Sequence, residues 1–451
     1  MAMTLQGMLN VRRTEVLPVS LAMVFFFCVL TALMMLRPAR EALGMQGGLD
    51  AVRWLFVGTA LVTLLVNPIF GMLVSRFRRM VFISITYLFF ASSLLVFYLL
   101  IALSPEAIGV VSGQVFYVWF SVFNLFSSMV FWALMSDRFS LEQSKRFFAL
   151  IAVGGTLGAI FGPWLASVLA APLGTPALLL VSSGFLVLAL CAAATLVHIQ
   201  PAQTVPNKVG RPRVQSEPGE GVIGGAAWDG IKAVCRSRYL MGIAAYVVIL
   251  AIMATFLYFT RLQMVAALGD EIDARTTLFA QIDLITQIAT LVIQVLVSGH
   301  LMKRLGVHIT LALLPVTALL GFVGLALAGS LAALIVFESA FRAVQRGVMR
   351  PARETLFTVV SAEEKYKAKA FIDTFVYRAG DVAGAQLEGA LGRLGMGLAA
   401  VASVAVPMAI VWAALALWLG RTQQRIAASD RSRHTNTAAP SPQTINKGSP
   451  T

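Results

Sequence analysis

Residues 331–350 have the sequence LAALIVFESAFRAVQRGVMR, in which Glu338, Arg342 and Arg346 interrupt an otherwise largely apolar segment. Its length is that of a helix that crosses a membrane, which needs about 20 predominantly apolar residues. An ionisable side chain in hydrocarbon is so costly that it normally faces a cavity or a partner and marks a pathway. The segment therefore predicts a polar cavity near mid-membrane.

The rest of the chain has the same apolar character. Of its 451 residues, 58% are hydrophobic and only 12% are charged, and the mean hydropathy is +0.82. These values predict an all-α membrane protein with twelve transmembrane helices. The predicted spans are approximately 17–36, 54–74, 80–102, 110–135, 148–170, 176–197, 239–260, 278–301, 307–328, 330–349, 369–391 and 397–419.

The basic residues lie mainly on one side of this arrangement. If the N-terminus is cytoplasmic, 26 of the 35 Lys and Arg residues fall in cytoplasmic segments, six on the other side and three inside spans. Such a bias predicts a multi-pass protein of the cell inner membrane with both termini in the cytoplasm. Since the net charge of +14 is spread over loop ends, nucleic acid is not an expected partner.

The sequence contains no motif for covalent or metal chemistry. Its three cysteines and four histidines are dispersed, and it has no Walker motif or catalytic triad. We therefore expect no enzyme activity, no metal and no cofactor. The expected partners are a small-molecule solute and the lipid bilayer, and a monomer is the expected state.

Short motifs recur at an offset of about 225 residues. The pairs are Gly71 and Arg76 with Gly299 and Arg304, Gly154 and Gly158 with Gly380 and Gly384, and Arg37 with Arg261. Each pair occupies the same place within its half of the chain. The repeat predicts two pseudo-symmetric six-helix halves, which is the architecture of the major facilitator fold.

The repeat also sets the domain boundaries. We predict an N-terminal half at 1–197, a basic cytoplasmic linker at 198–238, a C-terminal half at 239–420 and a disordered cytoplasmic tail at 421–451. The linker contains several prolines and glycines, and the tail is rich in Ser, Thr, Asn and Pro.

The repeated glycines have different predicted roles. The segment from Gly71 to Arg79 resembles the loop motif between the second and third spans of the major facilitator superfamily, and this resemblance implies gate loops at Gly71, Arg76, Gly299 and Arg304. The Gly154 and Gly380 motifs have no following Gly-Lys-Ser/Thr, and they lie inside spans. Small residues four positions apart predict close packing of helices there.

Polar side chains predict the lining of the cavity. Asp283 and Gln287 share one face of the eighth span, and Glu338 with Arg342 forms an i,i+4 pair in the tenth. We predict solute contacts at Arg37, Asn124, Arg261, Gln287, Arg342, Arg346 and Arg378, and coupling or gating roles for Asp283, Glu338 and Asp381. Arg37 and Arg261 close the first and seventh spans and are assigned to the outer mouth.

Two interpretations of the charged spans remain open. Arg342 and Glu338 of the tenth span could pair with Arg378 and Asp381 of the eleventh and form a four-charge network. Alternatively, Glu338 and Arg342 are a self-neutralising structural pair. The sequence RPARE occurs at 37–41 and again at 350–354. Because these positions are not equivalent in the repeat, shared membrane-edge chemistry is favoured over a shared site.

Two longer stretches carry a family resemblance. Residues 130–148 (VFWALMSDRFSLEQSKRFF), followed by GGTLGA at 154–159, resemble the ATP/ADP translocase family, and so does the six-plus-six layout. Residues 364–381 (EKYKAKAFIDTFVYRAGD) look like bacterial relatives of that family. The resemblance implies a major facilitator fold and exchange of nucleotides or other organic anions. It departs from the family in having no lysine well inside a span.

The sequence therefore predicts a secondary active transporter of a small organic anion that works by alternating access. Within the spans, the predicted inventory is three basic and five acidic side chains. Because of that balance, a proton-coupled carrier of a non-nucleotide solute remains an alternative interpretation. Protons would then be a second partner. A membrane scaffold or sensor without transport activity is the alternative of a different class.

Overall fold

The protein is a bundle of long helices, as shown by a computed structural model that describes residues 12–76, 79–104, 106–199, 227–296, 298–394 and 397–437. The helices of the first half are α1 (Arg13–Gly44), α2 (Gly48–Arg76), α3 (Arg79–Ala102), α4 (Glu106–Arg138), α5 (Leu141–Leu173) and α6 (Ala177–Ile199). The short 3-10 turn Met45–Gly47 joins α1 to α2.

The second half contains six further spans, two of which include a π-helical turn. Its helices are α7 (Ala227–Arg236), α8 (Arg238–Ala266), α9 (Ile272–Leu296), α10 (Ser298–Ala328), α11 (Leu331–Val344), α12 (Arg350–Leu356), α13 (Ala362–Phe371), α14 (Tyr377–Arg393) and α15 (Gly397–Thr437). The π turn Gln345–Met349 joins α11 to α12 in the tenth span. The π turn Ile372–Val376 joins α13 to α14 in the eleventh.

The described helices have the length and composition of membrane spans. Nine stretches are apolar enough to cross a membrane, and the first of them, Glu15–Val66, includes both α1 and most of α2. These stretches account for ten of the twelve predicted spans. The remaining two are the tenth and eleventh, which the charged residues and π turns interrupt. The predicted all-α, twelve-span fold is confirmed.

Each half has its own hydrophobic core. One buried cluster extends from Val19 to Leu196 and lies within the first half. A second extends from Val234 to Leu419 and lies within the second half. Because α1 packs on α5 and α6, and α8 packs on α14 and α15, the two halves repeat the same internal arrangement. This arrangement is the structural form of the repeat in the sequence.

The repeated glycines lie at the closest helix contacts. A Cβ atom at Gly158 in α5 would lie 2.4 Å from the carbonyl oxygen of Phe27 in α1. In the second half, a Cβ atom at Gly384 in α14 would lie 2.9 Å from the Cβ of Thr255 in α8. Both pairs of helices therefore approach at distances that only glycine permits. The packing role predicted for these glycines agrees with these contacts.

The halves meet along three helix pairs, α5 with α9, α1 with α9, and α2 with α14. Helix α1 begins on the side of the bundle that contains most of the predicted basic segments, and we call this side the basic face. The other side is the opposite face. The basic face is the one predicted to be cytoplasmic.

The linker between the halves is more structured than predicted at its C-terminal end. Residues 200–226 lie outside the described part of the chain, but Ala227–Arg236 forms the helix α7. A Cβ atom at Gly230 would lie 2.8 Å from the Lys367 carbonyl oxygen, so α7 packs tightly on α13. Val234 is buried in the second core. The apolar face of α7 is therefore buried against the second half, whereas a solvated linker would be exposed.

The predicted disordered tail also begins as a helix. Helix α15 continues from the twelfth span to Thr437, past the predicted boundary at Arg421. Ile426 packs on the second core, and Gln424 contacts His308 at 3.4 Å. These contacts extend the helix beyond the membrane span. Residues 438–451 lie outside the described part of the chain.

The four residues predicted in gate loops have helical backbones. Gly71 and Arg76 belong to the last turns of α2, and Gly299 and Arg304 belong to the start of α10, before a break at Gly306 with φ 71°. In the second half the helix breaks beyond the motif, at Gly306, whereas residues 77 and 78 after the first motif lie outside the described part of the chain. The side chains of the four residues lie outside the described part of the structure.

The helix contact at Gly158 makes a testable prediction. Gly158→Ala should destabilise the protein, because the new methyl group would overlap backbone atoms of α1, and overpacking of this kind costs about 1–3 kcal/mol. Gly184→Ala is the matched control, since a Cβ atom there has no neighbour within 4 Å. Thermal unfolding in detergent should show a lower Tm for Gly158→Ala only. Equal Tm values for both variants would contradict the packing argument.

Candidate functional site

A cavity of about 770 Å³ lies between the two halves. Helices α1, α2 and α4 line it from the first half. The lining from the second half comes from α8 and from the interrupted tenth and eleventh spans. Its charged lining residues are Arg37, Arg40, Glu41, Arg342, Arg346, Arg350, Arg353, Glu354, Lys369, Asp373, Arg378 and Asp381.

The cavity is closed toward the opposite face. The hydroxyl groups of Tyr117 and Tyr258 lie 2.8 Å apart, across the boundary between the halves. Tyr258 also donates a hydrogen bond to Glu41. The Arg40 guanidinium lies 3.9 Å from the centre of the Tyr117 ring. All of these residues except Arg40 are less than a tenth exposed, so they form a buried floor.

Two further contacts join the halves near the opposite face. Arg53 Nε donates to Glu388 at 2.9 Å, and the Gln263 amide donates to the other oxygen of Glu388 at 2.5 Å. On another edge, the Thr175 backbone N–H donates to Asp273 at 2.6 Å. The Arg53–Glu388 and Thr175–Asp273 bonds join the halves at this end of the bundle, and Gln263 supports Glu388 from within the second half.

The other end of the cavity reaches the surface at the basic face. Arg350 is exposed there, and the side chains of Glu354 and Lys369 are 42% and 34% exposed. The lining thus changes from buried aromatic residues at the floor to exposed charged residues at the mouth. In this conformation the cavity is open toward the basic face.

A buried ion cluster lies directly behind the cavity wall. Arg261 of α8 is 1% exposed, and its Nη1 donates to Asp283 at 2.9 Å and to Glu338 at 3.1 Å. Arg342 Nε donates to the same Glu338 oxygen at 2.7 Å. Arg37 reaches Asp283 from the first half at 3.6 Å. Three guanidinium groups therefore neutralise two carboxylates in the low-dielectric interior.

This cluster corrects the predicted position of Arg261. The sequence places it at the outer mouth because the seventh span was expected to end at residue 260, whereas α8 continues to Ala266. Arg261 is fully enclosed between α9 and α11, and it is absent from the cavity lining. Its contacts are with Asp283 and Glu338, so it positions the cavity wall.

The four-charge network between the tenth and eleventh spans is not formed. Arg378 pairs with Asp381 at 3.1 Å within α14, and Arg342 pairs with Glu338 within α11. Residues one turn apart on a helix are the nearest available partners, and Arg261 occupies the remaining side of Glu338. The structure therefore favours pairs within each span, with Arg261 extending the Glu338 pair.

Arg346 differs from the other arginines of the interior. Its Nη1 donates to the Gln287 side chain at 2.5 Å, and within the described residues it forms no ion pair. Its electrostatic neighbours include Arg37, Arg342 and Arg350. Arg346 is thus a cavity-facing guanidinium with a neutral partner in a positive environment.

The mouth contains a second group of charged residues that are mostly paired. Arg353 contacts Asp373 at 3.0 Å, and Lys369 contacts Glu354 at 2.5 Å. Arg350 forms no ion pair with any described residue. Each acidic residue of the mouth therefore has a basic partner, whereas Arg350 is left with its charge uncompensated.

The cavity as a whole is positively charged. Of its lining residues within the described part of the chain, eight are basic and four are acidic. Predicted residues Arg37, Asn124, Arg342, Arg346, Arg378 and Asp381 line it, whereas Asp283 and Glu338 lie behind the wall and Gln287 supports Arg346. The sequence analysis counted three basic and five acidic side chains within the spans. The cavity lining has the opposite balance because arginines at helix ends, outside the counted segments, also face the cavity.

Several residues of the site were missed at the level of sequence. Arg40, Glu41, Arg350 and Arg353 all line the cavity. They belong to the two RPARE segments, which the structure brings to opposite ends of one cavity. The sequence favoured shared membrane-edge chemistry over a shared site for these segments, and that stays a prediction; their repeated composition was the available signal that both line the cavity.

The comparison with protein families agrees with this architecture. The profile described as Major Facilitator Superfamily matches residues 19–366, which is more than half of the chain. The chain belongs to the major facilitator superfamily. No curated protein matches it by sequence.

Solved structures of other major facilitator proteins have the same fold. A bacterial homologue of the iron transporter ferroportin, in an inward-facing state, has a TM-score of 0.61 and 14% identity, with 90% of this chain and 98% of that chain covered. A mutant of the nucleoside transporter NupG has a TM-score of 0.60 and 11% identity, covering 91% and 99%. The POT family transporter PepTSo has a TM-score of 0.59 and 12% identity, covering 92% and 98%. At these identities the likeness shows the fold alone.

The buried cluster of this major facilitator protein gives a second prediction. Arg261→Met should reduce stability by about 3–5 kcal/mol, because it removes the group that bridges two buried carboxylates. Adding Asp283→Asn and Glu338→Gln should restore much of the loss, since the carboxylates are then neutral. Denaturant unfolding of the single and triple variants measures both effects. A single variant as stable as the parent would show that the cluster is not structural.

Proposed function

We propose that this chain is a secondary active transporter that moves a small organic anion by alternating access. The observation that supports it most directly is the Arg346 guanidinium, which faces a positively charged cavity and has Gln287 as its partner. A guanidinium in this state has N–H donors available for a carboxylate or phosphate. The superfamily and the transporters among its solved relatives support the transport class.

Aromatic residues indicate a second property of the solute. Phe56, Phe120, Tyr117 and Tyr258 line the cavity near its floor. Arginines and aromatic rings together suit an anion that also has an apolar or planar part. A cavity of about 770 Å³ has the size of sites that enclose a compact organic molecule.

A nucleotide is the first specific candidate. The segments at 130–148 and 364–381 that resemble the ATP/ADP translocase family support it, and so does the positive cavity. Lys369 lines the mouth, and among the described residues no lysine lines the interior near Arg346. Phosphate contacts would therefore be made by arginine in this chain.

A proton-coupled carrier is the second candidate, and Asp381 is the observation that favours it. Its carboxylate lines the cavity, and its one ion-pair partner among the described residues is Arg378. By contrast, Asp283 and Glu338 each contact two arginines. If protons are coupled, we expect Asp381 to carry them. Asp381→Asn would then remove the pH dependence of uptake.

The third prediction tests the anion site. We expect a thermal-shift screen of the purified protein against nucleotides, phosphorylated metabolites and organic acids to reveal stabilisation by an anion. Arg346→Gln should abolish that stabilisation. It is a cleaner test than substitution of Arg342, because Arg342 also neutralises Glu338.

Arg421→Gln is the matched control, since Arg421 is an exposed arginine outside the cavity lining. It should leave the shift unchanged. Stabilisation by neutral solutes alone would contradict the anion proposal. An Arg346→Gln variant with normal uptake of all solutes would contradict the site. Absence of any solute uptake would support the scaffold alternative.

The fourth prediction tests alternating access. Glu388→Ala should weaken closure at the opposite face, because Arg53 of the first half loses its acceptor in the second half. A cysteine at Thr59, in a background with Cys191→Ser and Cys235→Ser, then reports access through labelling by a membrane-impermeant thiol reagent. Labelling from the opposite face should become several-fold faster. If the labelling rate is the same with and without Glu388, this contact does not hold the gate.

A further inference from the structure

The tenth span carries three cavity-facing arginines at intervals of four residues, Arg342, Arg346 and Arg350. In a continuous α-helix, each interval of four residues advances the side chain about 40° past a full turn. Over eight residues the drift would reach about 80°, which would carry the last arginine away from a cavity faced by the first. Yet all three line the same cavity.

The π turn Gln345–Met349 accounts for this alignment. The Arg350 backbone N–H donates to the Gln345 carbonyl, five residues earlier, and this bond closes the wider turn. A turn closed over five residues rotates less per residue than an α-turn, so it offsets the drift between Arg346 and Arg350. Single π turns inside α-helices occur frequently at functional sites.

The eleventh span also contains a π turn next to a row of cavity-lining side chains. In the eleventh span, Lys369, Asp373, Tyr377 and Asp381 recur at intervals of four residues and all line the cavity. The π turn Ile372–Val376 lies within this series, and the Tyr377 backbone N–H donates to the Ile372 carbonyl. Both π turns therefore occur where a span presents a row of polar side chains to the cavity.

Arg350 and Arg346 differ in exposure along this row. Arg350 is exposed at the mouth, whereas Arg346 is partly buried in the interior. Neither forms an ion pair with a described residue, while the acidic residues next to Arg350 are engaged by Arg353 and Lys369. Two unpaired guanidinium groups one turn apart thus lead from the surface to the centre.

We propose that Arg350 is a capture site for the transported anion, and that the π turn Gln345–Met349 aligns it with Arg346 so that the anion passes from one guanidinium to the other. The ligand class is a small carboxylate or phosphate, because both positions offer planar guanidinium donors. This inference rests on the proposed anion transport and adds a first binding position to it.

The test uses charge-selective labelling, so it does not depend on knowing the solute. Ser121→Cys, in the background with Cys191→Ser and Cys235→Ser, places a thiol in the cavity lining. Ser121 and Arg346 are the same number of residues from the starts of α4 and α11. The thiol therefore lies at about the depth of Arg346, and a reagent that enters from the basic face passes Arg350 first. The anionic probe is sulfonatoethyl methanethiosulfonate, and the neutral probe is hydroxyethyl methanethiosulfonate.

We expect Arg350→Gln to lower the ratio of the anionic to the neutral labelling rate by about threefold or more, because one unit charge is removed from the path. Deletion of Gly347 should convert the π turn to an α-turn and retain the ratio, because Arg350 then lies seven residues after Arg342 and stays within about 20° of it around the helix. The neutral rate should stay constant in both variants, which shows that the cavity is still formed. Arg421→Gln should leave the ratio unchanged.

Gly347→Ala controls for the loss of the glycine itself. A Cβ atom there would have its nearest neighbour at 3.5 Å, which is ordinary contact, so the ratio should be retained. If the deletion prevents folding, the Arg350→Gln ratio decides the capture site. An unchanged ratio in Arg350→Gln would overturn the capture site, and a lowered ratio in a folded deletion variant would overturn the alignment by the π turn.

The outcomes also separate this inference from the proposed function. If Arg346→Gln abolishes anion stabilisation while Arg350→Gln leaves the labelling ratio unchanged, the anion site stands and the capture site is wrong. If the ratio falls but no anion is stabilised or transported, the electrostatic path exists and the proposed function is wrong, together with the capture role.

Discussion

The bridge that Arg261 makes between Asp283 and Glu338 is the interaction on which the rest of the site depends. Neither carboxylate could remain ionised in an apolar interior without a partner, and neither arginine of the cavity wall would keep its position without them. Glu338 fixes Arg342, and Asp283 fixes Arg37 across the boundary between the halves. Because this cluster neutralises its acids from behind the wall, the side chains that face the cavity are left with excess positive charge. The cluster thus sets both the geometry of the wall and the sign of its potential.

The architecture could be predicted from the sequence, but the ion-pair partners of the charged residues could not. Hydropathy located the spans, and the offset of about 225 residues predicted the repeat that the packing of Gly158 on α1 and of Gly384 on α8 displays. Ion-pair partners depend on which helices become neighbours. Nothing in the order of residues shows that Arg261 would be enclosed by α9 and α11. The same limit explains Arg40 and Arg350, since helix ends that could face water turn instead toward the cavity.

The charge of the cavity illustrates why an inventory along spans is misleading. A count of charged residues within the apolar segments emphasises acids such as Glu388 and Asp283. These acids form ion pairs at the opposite face and behind the cavity wall, respectively. The count omits arginines of the RPARE segments, because these lie at the ends of spans. Positive charge lines the cavity, and the buried charges behind the wall are paired. Those two features come from different residues, and only the three-dimensional arrangement separates them.

Helix α7 has a consequence for the connection between the halves. Its close approach to α13 at Gly230 attaches the end of the linker to the same span whose Lys369 and Asp373 form the mouth of the cavity. The connecting segment is therefore not a slack tether at this end. The described end of the linker is thus part of the packed second half, next to the residues that form the cavity mouth.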